Sequence, residues 1–219
     1  MRRTRLLQIA VFGLICTAVT GDAITGRCLK LVDRSLNIAN GIAVSGSSGG
    51  AIGTYAYVGA VEVLKVVDIS EPAAPSVVGS LALPEFITAI VTRDDFAYVW
   101  TYDTTLHVID VSNPRDPVKV GSLDDDGSTG YVIARVSGSY AFASFSSLIG
   151  GSSPVPRIRV IDLGEPSAPV EVATLEGDFG SLAVSGSLLY ALSSSQAETG
   201  WKLEVIDVSD AEEPITLGS

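Results

Sequence analysis

The 219-residue chain offers little material for catalysis: one histidine, His107, and two cysteines, Cys16 and Cys28. Gly46-Ser47-Ser48-Gly49-Gly50 fits the Gly-x-Ser-x-Gly pattern. That pattern lifts a nucleophilic serine onto a strand-to-helix elbow beside a histidine base. Here it falls between two short strand patterns, with no helix behind it. His107 stands where other segments of the chain carry Lys65, Arg159 and Glu204, so nothing reserves that position for a base. The motif reads as a hairpin loop. A lone histidine cannot build a transition-metal centre, and Cys28 is far from it in sequence. Asp124-Asp125-Asp126-Gly127-Ser128 clusters carboxylates before a glycine. Calcium takes roughly six to eight oxygen ligands, and Asp124 and Asp126 are the candidate ligands here. The spaced ligands and final glutamate of an EF-hand are missing, so a solvated acidic loop is the preferred reading. No catalytic residue is assigned, and calcium is the one cofactor with any candidate ligand.

One acid recurs. Val66-Val67-Asp68-Ile69-Ser70 returns as Val108-Ile109-Asp110-Val111-Ser112, Val160-Ile161-Asp162-Leu163-Gly164 and Val205-Ile206-Asp207-Val208-Ser209. The aspartates are 42, 52 and 45 residues apart. Each copy runs into a turn: Glu71-Pro72-Ala73-Ala74-Pro75, Asn113-Pro114-Arg115-Asp116-Pro117, Glu165-Pro166-Ser167-Ala168-Pro169, and Asp210-Ala211-Glu212-Glu213-Pro214. The fourth lacks its first proline. Gly79-Ser80, Gly121-Ser122 and Gly218-Ser219 close three copies, and Ala173-Thr174 stands in their place in the third. Asp68, Asp110, Asp162 and Asp207 each fall at a strand end beside a tight turn. A carboxylate there accepts backbone N–H bonds from the next residues, which makes it structural rather than catalytic.

Stepping outward from these acids, each copy has an upstream aromatic strand centred on Tyr57, Tyr98, Phe142 or Tyr190, with a β-branched stretch before it. Four short strands in a unit of about 40 to 50 residues mark a propeller blade. The fold class is all-β: a β-propeller of four-stranded antiparallel blades near 37–81, 82–123, 130–175 and 180–219. Strands A to D of the second blade are predicted at Ile87–Thr92, Phe96–Trp100, Leu106–Val111 and Val118–Leu123. Alternation puts Leu106 and Val108 on one face and Ile109 and Val111 on the other. Both faces are apolar, as a sheet between neighbouring blades requires. The position shared by Lys65, His107, Arg159 and Glu204 accepts either charge and is expected to reach water.

The repeated Val-Ile-Asp-Val-Ser-(Asp/Asn)-Pro-x-x-Pro-x-x-Val-Gly-Ser, with Ala-Tyr-Val upstream, resembles the LVIVD-repeat proteins over residues 29–219. The resemblance implies an exported bacterial or archaeal β-propeller-like protein at the cell surface or secreted. It implies no common activity, so no catalytic residues carry over.

Residues 1–23 differ from the rest. Arg2, Arg3 and Arg5 precede an apolar run, Leu6 to Val19, broken by Gln8 and Thr17. A bilayer core takes about 20 residues, so this run has the length of a signal-peptide core, with cleavage near Gly21 or Ala23. Ile15 before Cys16 argues against a lipoprotein signal. The implied compartment is secreted, periplasmic or cell surface, with no stable membrane span after cleavage. Cys28 is then the sole thiol, tolerated or paired with another chain. The whole chain carries 25 acids against 14 bases, a net charge of −11. Phosphates need a basic face, so nucleic acid is excluded as a partner.

The distance from the aromatic anchor to the repeated aspartate is 11, 12, 20 and 17 residues in the four copies. The later two blades thus carry extended B–C loops, 144–157 and 193–201. In such a blade the B–C and D–A loops share one face, which also receives the acidic loop 124–129. Insertions gathered on one face mark a binding face. Trp100, Tyr102, Phe145 and Trp201 are placed there as anchors for an extracellular protein or glycan. The reading that follows is a non-catalytic interaction scaffold. The alternatives are a propeller enzyme with a metal or acidic site at the central channel, or a truncated product without independent function. Leu29–Leu36 aligns with a D strand, giving a 24–36 segment ahead of four complete blades and no unfinished blade for it to close. The four blades are therefore expected to leave the ring open, and the open ends to self-associate.

Overall fold

The computed structural model describes residues 39–44, 54–124, 129–145, 151–152, 156–194 and 200–219. The expected leader, the 29–36 strand, Cys28, the Gly46–Gly50 motif and Asp126 lie outside the described residues.

Four antiparallel meanders follow one another along the chain. Blade one is β1 (Ala39–Val44), β2 (Tyr55–Ala60), β3 (Val63–Asp68) and β4 (Ser76–Ala82). Blade two is β5 (Ile87–Arg93), β6 (Phe96–Thr101), β7 (Leu106–Asp110) and β8 (Val118–Leu123). A short β9 (Thr129–Gly130) precedes blade three, which is β10 (Val132–Ser137), β11 (Tyr140–Phe145), β13 (Arg157–Asp162) and β14 (Val170–Glu176), with β12 (Gly151–Ser152) between β11 and β13. Blade four is β15 (Asp178–Ser185), β16 (Leu188–Ser194), β17 (Trp201–Asp207) and β18 (Ile215–Gly218). The four strands read from the sequence of blade two fall within a residue of those found. This is a β-propeller architecture, and its ring is not closed. Each first strand packs on the blade before it: β5 on β1 and β2, β10 on β5, and β15 on β10, β11 and β13.

Every blade therefore has a leading face, toward its predecessor, and a trailing face, toward its successor. Tyr57, Leu64 and Val66 of blade one meet Ile87, Ala97, Val99, Ile109 and Val111 of blade two. Tyr98, Trp100, Leu106 and Val108 of blade two meet Val132, Ala141, Ala143, Ile161 and Leu163 of blade three. Phe142, Ile158 and Val160 meet Phe179, Leu189, Ala191, Ile206 and Val208 of blade four. The leading faces mix small and β-branched side chains with larger ones such as Leu163, Phe179 and Leu189, and the two faces of each junction close into one apolar cluster. Volumes trade locally as well. Gly59 makes room for Ile87, with which a Cβ would collide, whereas Trp100 faces the smaller Val132 in the next junction.

The third and fourth strands shift register just before each repeated aspartate, at Val66/Val67, Val108/Ile109, Val160/Ile161 and Val205/Ile206. Such bulges sharpen local twist. The aspartate then closes the strand. Oδ1 of Asp68, Asp110, Asp162 and Asp207 accepts the backbone N–H two residues on, at 2.9, 2.9, 2.8 and 2.8 Å. Bonds from the Ser70 and Ser112 side chains and N–H groups hold the carboxyls of Asp68 and Asp110 below their usual range. The Ser209 N–H leads in doing the same for Asp207.

The position shared by Lys65, His107, Arg159 and Glu204 departs from expectation. His107 and Arg159 are buried rather than solvated, because they point toward the preceding blade. Arg159 forms an ion pair with Glu171. Its guanidinium and that of Arg157 lie 5.6 and 5.7 Å from the centre of the Phe145 ring. A cation can be buried there because an acid and an aromatic face replace its water.

Candidate functional site

The B–C and D–A loops do share one face. The Tyr102 N–H, in the B–C loop of blade two, donates to the Phe86 carbonyl in the preceding D–A loop at 2.7 Å. The Gly130 N–H, in the next D–A loop, donates to the Tyr102 carbonyl at 2.8 Å. Three successive loops are thus laced together by main chain. β9 and β12 add a further tie, pairing Gly130 with Gly151 and Thr129 with Ser152. The long B–C loop of blade three is anchored on the D–A loop before it.

Of the aromatics predicted for this face, the structure brings only Tyr102 to it as an accessible ring. Trp100 and Phe145 are fully buried in the junction of blades two and three. Both occupy ends of second strands, where the side chain turns into the neighbouring blade rather than out along the loop. Trp201 is 59% exposed, but it begins β17 and its ring packs over Gly180, where a Cβ would collide with it, on the trailing face of blade four. Two residues were missed: Phe86 and Tyr131, each 46% exposed. Tyr131 packs edge-on against Tyr102, with centroids 6.0 Å apart and planes at 82°. Their sequence signal was available, since both sit in D–A loops, on the face that the B–C loops share. Tyr102 and Tyr131 pair as rings on the loop face, and Phe86 is joined to Tyr102 through its backbone carbonyl, with exposed Glu85 and Asp124 nearby in the chain. Of the two calcium candidates, Asp124 is exposed. Among the described residues no group of three or more His, Cys, Asp or Glu side chains converges as a metal site.

His107 belongs to a buried polar chain beneath this face. The Thr101 hydroxyl donates to Asp103 Oδ1 at 2.5 Å, and its oxygen lies 3.2 Å from His107 Nε2. The same hydroxyl lies 3.2 Å from the Thr105 carbonyl, and Nδ1 of His107 is buried without a partner. Burial pushes its pKa down to about 4; Lys119 acts the same way, while Asp103 and Asp124 oppose. The Asp103–Thr101–His107 chain ties the end of the second strand and the B–C turn to the third strand. Thr104, in that turn, has a φ of 62°, in the left-handed region.

On the inner side of the arc, the first strands of blades two to four line an open groove of about 320 Å³. Its walls are Ala89, Ile90, Val132, Ile133, Ala134 and Ser181, with Arg135 as the charged member. Arg135 Nη1 donates to the Ala134 carbonyl at 2.7 Å. These walls hold no acid.

The LVIVD repeat family model matches residues 38–82 and 88–125, blades one and two. Those two blades are thus similar to LVIVD repeats. No curated protein matches it. Among solved structures it is similar to the computationally designed Ika4 protein, at 14% identity and a TM-score of 0.56, covering 83% of this chain and 98% of that one. It is similar to the designed Ika8 protein, at 14% identity and a TM-score of 0.55, over 80% of this chain and 47% of that one. BamB from Moraxella catarrhalis shares 18% identity and a TM-score of 0.54, over 81% of this chain and 48% of its own. The chain thus spans about half the length of the latter two. At these identities the likeness concerns the fold.

Proposed function

We propose that this LVIVD-repeat propeller is a non-catalytic, exported scaffold that binds an extracellular protein or glycan through its B–C and D–A loop face. The observation that carries the reading is the clustering of Phe86, Tyr102 and Tyr131 on adjoining loops. Two exposed rings, Phe86 and Tyr131, and the half-buried Tyr102 are held on loops tied to one another by main-chain bonds. Preordered aromatics bind with little entropy to lose, and their faces suit sugar rings and apolar side chains alike. The acidic loops around them favour neutral or basic partners over anionic ones. Export rests on the arginine-led apolar leader. N-terminal sequencing of the exported protein should begin near residue 22 to 24, and a chain still starting at Met1 counts against cleavage.

The test of the binding face is capture of glycans from a panel, and of envelope proteins, by wild type and by a Phe86→Ala/Tyr102→Ala/Tyr131→Ala variant. Capture should fall about tenfold or more. Val118→Ala, on the exposed outer edge, should leave it unchanged. Equal losses from both variants, each folded by circular dichroism, would overturn the assignment.

A further inference from the structure

The inner surface of the arc differs in charge from the rest of the molecule. The whole chain carries 25 acids and 14 bases. The four first strands carry the reverse balance, Arg93 and Arg135 against Asp178. Arg93 lies 3.3 Å from an Asp94 carboxylate oxygen, and Arg159, further out in its blade, is paired with Glu171. Among the described residues no acid pairs with Arg135. It is exposed and lines the groove between the first strands, whose other walls are uncharged. Those walls come from blades two, three and four, so the groove owes nothing to either end of the arc.

Strand register explains how Arg135 is held. A two-residue turn, Gly138-Ser139, joins β10 to β11, and Ser137 and Tyr140 flank it as partners. Residues flanking such a turn exchange main-chain bonds, and the alternation of an antiparallel ladder makes Arg135 and Phe142 the next bonded pair. Ala134, opposite Ala143, is of the other kind, so its N–H and C=O point away from β11 and into the groove. Arg135 Nη1 donates to that carbonyl at 2.7 Å. The bond draws the guanidinium along the free inner edge of β10. It leaves Nε and Nη2 without a partner among the described residues. A guanidinium is a planar fork of five donors, and two parallel N–H groups on one side of it match the two oxygens of a carboxylate. The same strand edge presents the Ala134 N–H beside that fork.

The rest of the groove is aliphatic. Ile90, Val132 and Ile133 form apolar walls, and the small side chains of Ala89 and Ser181 leave room between them. Its volume of about 320 Å³ falls at the low end of small-ligand sites, which run from about 300 to 1,000 Å³. We propose that this groove binds a small carboxylate with an aliphatic body. The carboxylate sits on Arg135 Nε and Nη2 and the Ala134 N–H, and the body covers Ile90, Val132 and Ile133. Arg135 repels an amine placed there, and an inorganic anion gains nothing from the apolar walls. The site is separate from the aromatic loops, since none of Phe86, Tyr102 and Tyr131 lines the groove.

The test is titration of the full chain with hexanoate, read by calorimetry and by amide NMR shifts. Binding should saturate, with shifts at Ala89, Ala134, Arg135 and Ser181. Arg135→Gln, checked as folded by circular dichroism, should weaken it about tenfold or more through loss of the charged fork. Arg135→Lys keeps the charge without the fork and should fall between the two. Acetate, which lacks most of the aliphatic body, and hexan-1-ol, which lacks the charge, should each bind about tenfold or more weakly than hexanoate. The Phe86→Ala/Tyr102→Ala/Tyr131→Ala variant should bind hexanoate as wild type does, so the loop face and the groove stand or fall separately. Absence of saturable binding at millimolar hexanoate would overturn the proposal. So would equal binding by Arg135→Gln, or acetate binding as tightly as hexanoate.

Discussion

Leu106 and Leu203 occupy the same place in their blades, two residues before a conserved-in-register valine and four before the repeated aspartate. Leu106 is buried against blade three, and Leu203 faces water. Leu106 pairs across its blade with Trp100 and Leu123, and Leu203 with Leu192; the further difference is that only Leu106 has a following blade packed against it. A repeat of this kind is half of an interface in every copy. Local sequence decides that a blade forms, and the neighbour decides what its faces are worth. Stability in such a stack is a sum of blade terms and junction terms, and the junction between blades two and three can be set against the open face of blade four to measure them apart.

The largest expected contrast is at the paired leucines. Leu106→Ala removes side-chain volume from a filled junction and should cost about 2–5 kcal/mol. Leu203→Ala, in dilute monomer, should cost under about 0.5 kcal/mol. Urea unfolding of both variants checks this, and equal losses would mean that the trailing face of blade four is covered in solution.

His107 offers a contrast in pH. Its folded pKa is lowered from 6.5 to about 4, so between these values the unfolded chain binds the extra proton. Stability is therefore retained above pH 6.5 and lost as pH falls toward 4, by up to about 3 kcal/mol. His107→Leu should flatten that slope in melts taken across the range. Glu204→His, placing imidazole at the half-buried counterpart in blade four, should not create a second slope of similar size.

The rim glycines should separate by a smaller margin. Gly121→Ala drives a methyl into the Pro166 carbonyl, which is main chain and cannot swing away; a loss of about 1–3 kcal/mol is expected. Gly218→Ala meets open space and should change the melting temperature little. A large effect at Gly218 in dilute solution would break the comparison.

Much of this architecture was legible in the chain because the signals are local. Period-two alternation, the Asp-x-Ser strand end and the proline turns each act within a few residues, so they fixed strands to within a residue or so. The burial of His107 and Arg159 was not legible. Their tolerance for either charge suggested solvent, but Arg159 is held by Glu171 and Phe145, and His107 by Thr101, partners chosen blade by blade. Trp100 and Phe145 were misplaced for a related reason. A ring at the end of a second strand can point along the loop or into the next blade, and only the volume available across the junction decides which. Phe86 and Tyr131 were within reach, since the face they share with Tyr102 follows from strand order alone. The absence of the glycine in one copy and of the proline in another looked unrelated until the fold set them in adjacent blades.

The smallest predicted effect is the control for the whole comparison. Asp110 and Asp207 make the same bond to the N–H two residues on, at 2.9 and 2.8 Å, inside one turn of their own blade. Neither bond crosses a junction. Asp110→Ala frees a turn N–H that water can reach, so the cost should be about 1 kcal/mol rather than the larger penalty of a buried orphan. Asp207→Ala should shift the melting temperature by a similar amount, although its blade has an open face. Both carboxyls are held below the usual range by their serine partners. Their contribution is therefore present above the ordinary aspartate pKa and is lost as pH falls through the lowered values. The two variants should accordingly converge on wild type in strong acid. A markedly larger loss at Asp110 than at Asp207 would show that the turn bond is coupled to the neighbouring blade. In that case local and junction terms would not separate, and the contrast between Leu106 and Leu203 could not be read as the worth of a neighbour alone.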